Sequence, residues 1–113
     1  MSRDPATLAD MLGACELILE FSDGLTFEMF HKNAEKHSAV LLQLLVLGEA
    51  TKRLSPEFRA AHPEISWSNI AGMRDRLIHG YDQIDFPLIW DVVQKRVPAL
   101  LKSLQPLIQR PNE

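Results

Sequence analysis

The sequence predicts an all-α, up-and-down bundle of about five helices, and three observations carry that reading. Apolar residues recur at three- and four-residue spacing along most of the chain. Proline or glycine stands next to a capping residue at several expected helix ends. No stretch alternates apolar and polar residues as a strand would, and there is no repeat, low-complexity segment or linker. Residues 1–113 are therefore one domain, long enough for a single core but not for two.

The elements follow in order. Asp4-Pro5 reads as an N-cap with proline at the first helical position. Leu8, Met11, Leu12, Cys15, Ile18 and Leu19 then fall on one helical face, giving an amphipathic helix over residues 5 to 21. Ser22-Asp23-Gly24 ends it. Thr26 caps a second segment that starts with Phe27 and Phe30 and leads, with a bend near His31 to Asn33, into a long helix reaching Leu54. Ser55-Pro56 starts a short helix through Ala61, and Pro63 stops it. Ser66 caps a helix from Trp67 to about His79, with Gly80 at the exit. Pro87, behind Asp85 and Phe86, opens the last helix, whose apolar positions are Ile89, Val93, Val97, Leu100, Leu104 and Leu107. Pro98 lies inside that pattern and should kink it.

From Val40 to Leu47 the long helix is apolar around nearly its whole circumference. Such a helix must be covered on more than one side, and a bundle this small covers only one. A subunit interface, most simply a two-fold dimer, is expected on the other; the alternative is a monomer whose helices wrap it completely. The same stretch is interrupted by Gln43 and is too short to span a bilayer. The N-terminus carries no basic-then-apolar signal pattern. The one cysteine, Cys15, cannot form an internal disulfide and suits a reducing compartment. These features predict a cytoplasmic protein with no membrane contact. A net charge of −3 excludes a nonspecific nucleic-acid coat, so attraction for RNA would have to come from a local basic cluster.

The segment Arg74-Asp75-Arg76-Leu77-Ile78-His79-Gly80-Tyr81 carries the chemistry. Arginine is a permanent cation whose planar donor fork suits phosphate. Histidine gives and takes protons near neutral pH. Together they provide what cutting a phosphodiester without a metal requires. On an ideal helix, residues five apart are separated by about 140°, so Arg74 and His79 do not share a face cleanly. A motif at a helix end, or one completed by a second subunit, resolves that geometry. The bland alternative is a solvated helix face, with Asp75 and His79 as a local i,i+4 pair and His79 as a favourable cation at a helix C-terminus.

Arg74-x4-His79-x-Tyr81 at a helix end of a small helical chain resembles the signature of the HEPN superfamily. Leu47-Gly48-Glu49-Ala50 followed by Lys52-Arg53-Leu54-Ser55 resembles the long-helix ending of its HepT family. Pro63 to Trp67 and Ile70-Ala71-Gly72-Met73-Arg74 resemble that family's approach to the motif. The resemblance spans nearly the whole chain, specific over residues 47 to 93 and loose in the first thirty. Family members often carry asparagine after the motif arginine; Asp75 stands there in this chain and adds negative charge beside the phosphate site. The resemblance implies a HEPN-like bundle and a toxin ribonuclease of a two-gene toxin-antitoxin module, acting on RNA as a homodimer without metal. It also implies an MntA-like nucleotidyltransferase antitoxin that adds AMP to the motif tyrosine, here Tyr81.

The expected roles are then as follows. Arg74 neutralises charge on the phosphoryl oxygens. His79 moves the protons, leaving a cyclic phosphate on the product. Tyr81 is the modification site. Glu49 orients Arg74 through an ion pair, and Lys52, Arg53 and Arg76 guide the RNA backbone. His31, His37 and His62 lack a matching carboxylate or cysteine cluster, so no metal or other cofactor is expected. Trp67 and Trp90 read as core anchors and Cys15 as a buried small hydrophobe. The main alternative is a noncatalytic helical module that binds a nucleotidyltransferase or a nucleotide, its Arg-His pair holding phosphate; a purely structural dimer module is a third.

Overall fold

The computed structural model describes residues 2–108. These residues are helical with no strand among them: α1 (Asp4–Ser22), α2 (Phe27–Lys32), α3 (Ala34–Arg53), α4 (Pro56–Ala61), α5 (Trp67–His79), α6 (Phe86–Asp91) and α7 (Val97–Leu104). α3 is the central rod, flanked by α1 on one side and α5 on the other, and α7 packs back onto α1. The core is made by the inward faces of these helices. Met11, Cys15 and Ile18 of α1, Phe30 of α2, Val40 and Leu44 of α3, and Val93, Val97 and Leu104 of the last rod are all essentially inaccessible. Burial of Cys15 pushes its thiol up to about 12, the behaviour of an inert core residue. Among the described residues, no helix is long and apolar enough to cross a membrane.

Most helix starts are set locally. Thr26 Oγ1 accepts from the Met29 N–H at 3.2 Å, Ser55 Oγ from the Phe58 N–H at 3.1 Å, and Asp85 Oδ1 from the Leu88 N–H at 3.1 Å. The bend expected near His31 to Asn33 is a full break. Asn33 leaves the helical conformation, and its Oδ1 caps α3 through the Lys36 N–H at 3.1 Å. The Pro98 kink takes the form of a π turn over Val92–Arg96, in which the Val97 N–H donates to the Val92 carbonyl. The extra residue accommodates a proline that cannot donate and whose ring crowds the preceding turn.

Two caps differ from expectation. α1 begins at Asp4 rather than after it, and the Asp4 carboxylate does not cap its own helix. It reaches across 51 residues instead, taking the Ser55 N–H at 2.9 Å and the Ser55 hydroxyl at 2.7 Å, and so ties the start of α1 to the start of α4. Ser66 makes no side-chain cap at α5.

The apolar circumference of α3 is not fully covered by the described residues. Val40, Leu44 and Leu47 are buried, while Leu42 is 56% exposed and Val46 37%.

The bonds from Ser55 hold the Asp4 carboxyl below its ordinary value of 3.8. A depressed carboxyl stabilises the fold above the unfolded value, and that stabilisation is lost as pH falls through the lower folded value. Asp4→Asn should therefore lower the melting temperature at neutral pH, by a few degrees at most. The gap from wild type should close as pH drops below 3.8; thermal melts across that range check it.

Candidate functional site

α3 and α5 run past each other at very close range, and the contact point is glycine. A Cβ on Gly48 would overlap Arg74 Cβ and would lie 3.1 Å from both Arg74 Cγ and the Ile70 carbonyl oxygen. Only a residue without a side chain lets the stem of Arg74 lie against the backbone of α3. That approach brings the polar ends of both helices together. Arg74 Nη2 lies 3.2 Å from Glu49 Oε2, so the ion pair expected between them is present. Arg74 Nη1 lies 3.1 Å from Asp75 Oδ1, and Lys52 Nζ comes to 2.6 Å of that same oxygen. Arg53 lies 3.6 Å from Glu49, one helical turn further along α3. Four groups from α3 and two from neighbouring positions of α5, Arg74 and Asp75 with Glu49, Lys52, Arg53 and Gly48, thus meet at one place.

The cations Lys52 and Arg74 hold the Asp75 carboxyl below the usual carboxylate range, through their hydrogen bonds first and their charges second. Asp75 does not pair with His79 as the solvated-face alternative would have it; its partners are Lys52 and Arg74. A shallow groove of about 360 Å³ opens beside this network, lined by Leu45, Val46, Glu49, Arg53, Arg74 and Ile78, among others.

His79 is the last residue of α5 and is exposed. Among the described residues its side chain has no hydrogen-bond or ion-pair partner, and the same holds for Arg76. Two residues on a helix are about 200° apart, so Arg76 faces away from Arg74 and lies nearer the side of His79. Gly80 ends α5 at φ −124°, not in the left-handed conformation that commonly follows a helix. Its N–H donates to the Arg76 carbonyl at 2.8 Å, and a Cβ there would stand 2.9 Å from that oxygen. The glycine is needed for close approach, not for a positive φ. The chain then makes a 3₁₀ turn, Tyr81–Gln83, which leaves Tyr81 76% exposed.

The structure therefore assembles Glu49, Lys52, Arg53, Arg74 and Asp75 in one network and sets His79, Arg76 and Tyr81 at the adjoining helix end. Gly48 is the positioning residue that the motif alone does not reveal. A signal was present: glycine inside an apolar helix costs about 1 kcal/mol relative to alanine, which points to close packing as its reason. Trp67 is a core anchor, its indole N–H donating to the Arg59 and His62 carbonyls at 3.1 and 3.0 Å.

Comparison with known proteins adds a second line. Residues 11–107 match the family model described as Ribonuclease HepT-like. The chain is 38% identical over 103 residues to a protein named as a candidate RNase in Caldanaerobacter subterraneus subsp. tengcongensis, covering 91% of this chain and 92% of that one. It is 36% identical over 104 residues to one so named in Methanocaldococcus jannaschii, covering 92% and 86%. It is 38% identical over 100 residues to the "Probable ribonuclease HepT" of Thermococcus cleftensis, covering 88% and 91%. No solved structure matches the chain.

Gly48→Ala should push α5 off α3 and destabilise the protein by about 1–3 kcal/mol, the usual cost of overpacking. Gly13→Ala, in α1 where a Cβ meets nothing within 4 Å, should instead be neutral or stabilising by up to about 1 kcal/mol. Denaturant midpoints of the two variants against wild type check the contrast.

Proposed function

The chain belongs to the HepT-like ribonuclease family, and from that membership we propose that it is the toxin of a toxin-antitoxin module, a metal-independent endoribonuclease that cuts transfer or messenger RNA in the cytoplasm. The observation that carries the reading is that one helix bears a guanidinium held by Glu49 and a histidine that, among the described residues, has no competing partner. Arg74 is preoriented by Glu49, and His79 stands exposed at the end of the same helix. Preorganised positive charge is worth most where negative charge develops, on the phosphoryl oxygens of the transition state.

In the proposed reaction His79 takes the proton of a ribose 2′-OH. The 2′ oxygen attacks the adjacent phosphorus, the bond from phosphorus to the 5′ oxygen breaks, and that oxygen leaves with a proton. A 2′,3′-cyclic phosphate and a 5′-hydroxyl result. One histidine begins the step as base; the acid for the leaving oxygen is His79 of a second copy. Two features support a homodimer. Arg74 and His79 lie on different faces of α5 by the helical period. Val46 and Ile78, the latter 40% exposed, line the Arg74 groove, and the exposed Leu42 stands one helical turn from Val46 on α3, an apolar strip of the kind that marks an interface.

Tyr81 is the proposed point of control. Its exposed hydroxyl, two residues past His79, is open to a partner nucleotidyltransferase. An AMP group there would place a charged phosphodiester and a bulky adenosine in the path of the RNA, excluding it by repulsion and by volume.

Purified protein incubated with total RNA in EDTA should cleave it, and His79→Ala should cleave about 10²–10⁴-fold more slowly, the range lost with a general acid or base. Equal cleavage by a folded His79→Ala protein would remove the assignment. Absence of cleavage by unmodified wild type would favour the noncatalytic binding module. Co-expression with the nucleotidyltransferase should raise the intact mass by one or more AMP groups, and Tyr81→Phe should abolish the increase.

A further inference from the structure

Two cations from different helices, Lys52 of α3 and Arg74 of α5, converge on a single oxygen, Asp75 Oδ1, at 2.6 and 3.1 Å. The same oxygen is the only Asp75 atom they engage. Arg74 turns its other terminal nitrogen to Glu49, so Glu49 orients the guanidinium while Asp75 takes Nη1. The arrangement is that of an anion seat: a point charge and one arm of a planar fork directed at one acceptor atom. The occupant is weakly held. The side chains of Asp75 and Lys52 are 45% and 39% exposed, and exposed ion pairs contribute little because water and salt compete for both partners. A phosphodiester offers two charged oxygens in place of one and can take the position without disturbing the Arg74–Glu49 pair.

We propose that Lys52 and Arg74 form a two-cation seat for one phosphate of the RNA, and that Asp75 fills this seat as a built-in competitor which the RNA must displace. The proposal rests on the ribonuclease reading and deepens it. Lys52 becomes a substrate-binding residue distinct from Arg53, which among the described residues pairs with Glu49, and from Arg76. Asp75 becomes a brake on affinity: RNA binds only by exchanging one anion for another, so a lone phosphate or a short fragment gains little. A longer strand, with further contacts on either side, gains enough to displace it. The depressed titration of Asp75 agrees with this, since the carboxylate stays charged and competing throughout the neutral range.

The test measures binding without cleavage. A fluorescent single-stranded RNA with 2′-O-methyl groups has no attacking hydroxyl, and its affinity is read by anisotropy at several salt concentrations. Asp75→Asn should bind about three- to tenfold more tightly than wild type, the size expected from releasing two exposed ion pairs. Lys52→Gln should bind more weakly and lower the salt slope by about one. Asp75→Asn should give no further gain when Lys52 is already glutamine. Asp82→Asn makes the same change of net charge at an exposed position in the next turn and should not match the gain. If wild type binds the RNA and Asp75→Asn binds it equally or less well, or if Asp82→Asn gains as much, the competitor assignment is overturned while the ribonuclease reading stands. If neither wild type nor Asp75→Asn binds RNA at all, both are overturned. Circular dichroism of each variant confirms that the helices are intact.

Discussion

The close passage of α5 over Gly48 is the constraint on which the rest of the site depends. Helix axes approach this nearly only when one partner contributes no side chain at the crossing. Here the missing side chain is on α3, and the space is filled by the methylene stem of Arg74. The consequence is geometric. With α3 and α5 pressed together at that point, the residues one position and one turn beyond Gly48, Glu49 and Lys52, come within reach of Arg74 and Asp75. A single crossing point thus converts two ordinary amphipathic helices into a charged cluster whose members are 23 residues apart in sequence. Loosening that contact would leave all the charges on the surface and remove their mutual arrangement.

Electrostatics then explains how an acidic protein can face a polyanion. The net charge of −3 gives no long-range attraction for RNA, and at physiological salt the Debye length of about 8 Å confines each charge to its neighbourhood. What matters is local. Around Arg74 the charges alternate, Glu49 and Asp75 against Lys52, Arg53 and Arg74 itself. Such a cluster holds its arginine in place in the absence of ligand, and it limits how strongly a passing anion is captured. A ribonuclease that must act on some RNA strands and ignore stray phosphate gains from that balance.

The fold was legible where the deciding interactions are local. Thr26, Ser55 and Asp85 cap the helices that follow because a side-chain oxygen reaches an amide only three residues ahead, and a sequence displays that spacing directly. The Asp4 cap fails for a tertiary cause. Asp4 carries the right side chain in the right place, yet its carboxylate serves Ser55, 51 residues away. Gly80 was expected at the exit of α5 and is there, for a different reason: its close approach to the Arg76 carbonyl, with no left-handed turn. The motif residues Arg74, His79 and Tyr81 could be picked out by type and spacing. The role of Lys52 as partner of Asp75 could not, because it exists only once α3 and α5 are packed; Gly48 inside an apolar helix signals close packing, but not that Arg74 is what packs there.

The remaining tension in the single chain lies along α3. Burying apolar area is worth about 25 cal/mol per Å², so leaving Leu42 more than half exposed, next to Val46 and Ile78, forgoes stabilisation that a partner surface would supply. This strip adjoins the groove that carries Glu49, Arg53 and Arg74, whereas His79 is turned about 140° away on α5. One chain therefore presents its guanidinium beside an uncovered apolar surface and its imidazole elsewhere. The first feature has a simple physical remedy. A two-fold partner seated on the α3 strip, as proposed, would bury the leucine and valine and exclude water from beside Arg74. Exclusion of water is itself chemically useful, since the attraction between guanidinium and phosphate grows as the local dielectric falls. In the proposed dimer, hydrophobic association and phosphate recognition would share this face: the contact that assembles the dimer would also strengthen the attraction of Arg74 for an anion.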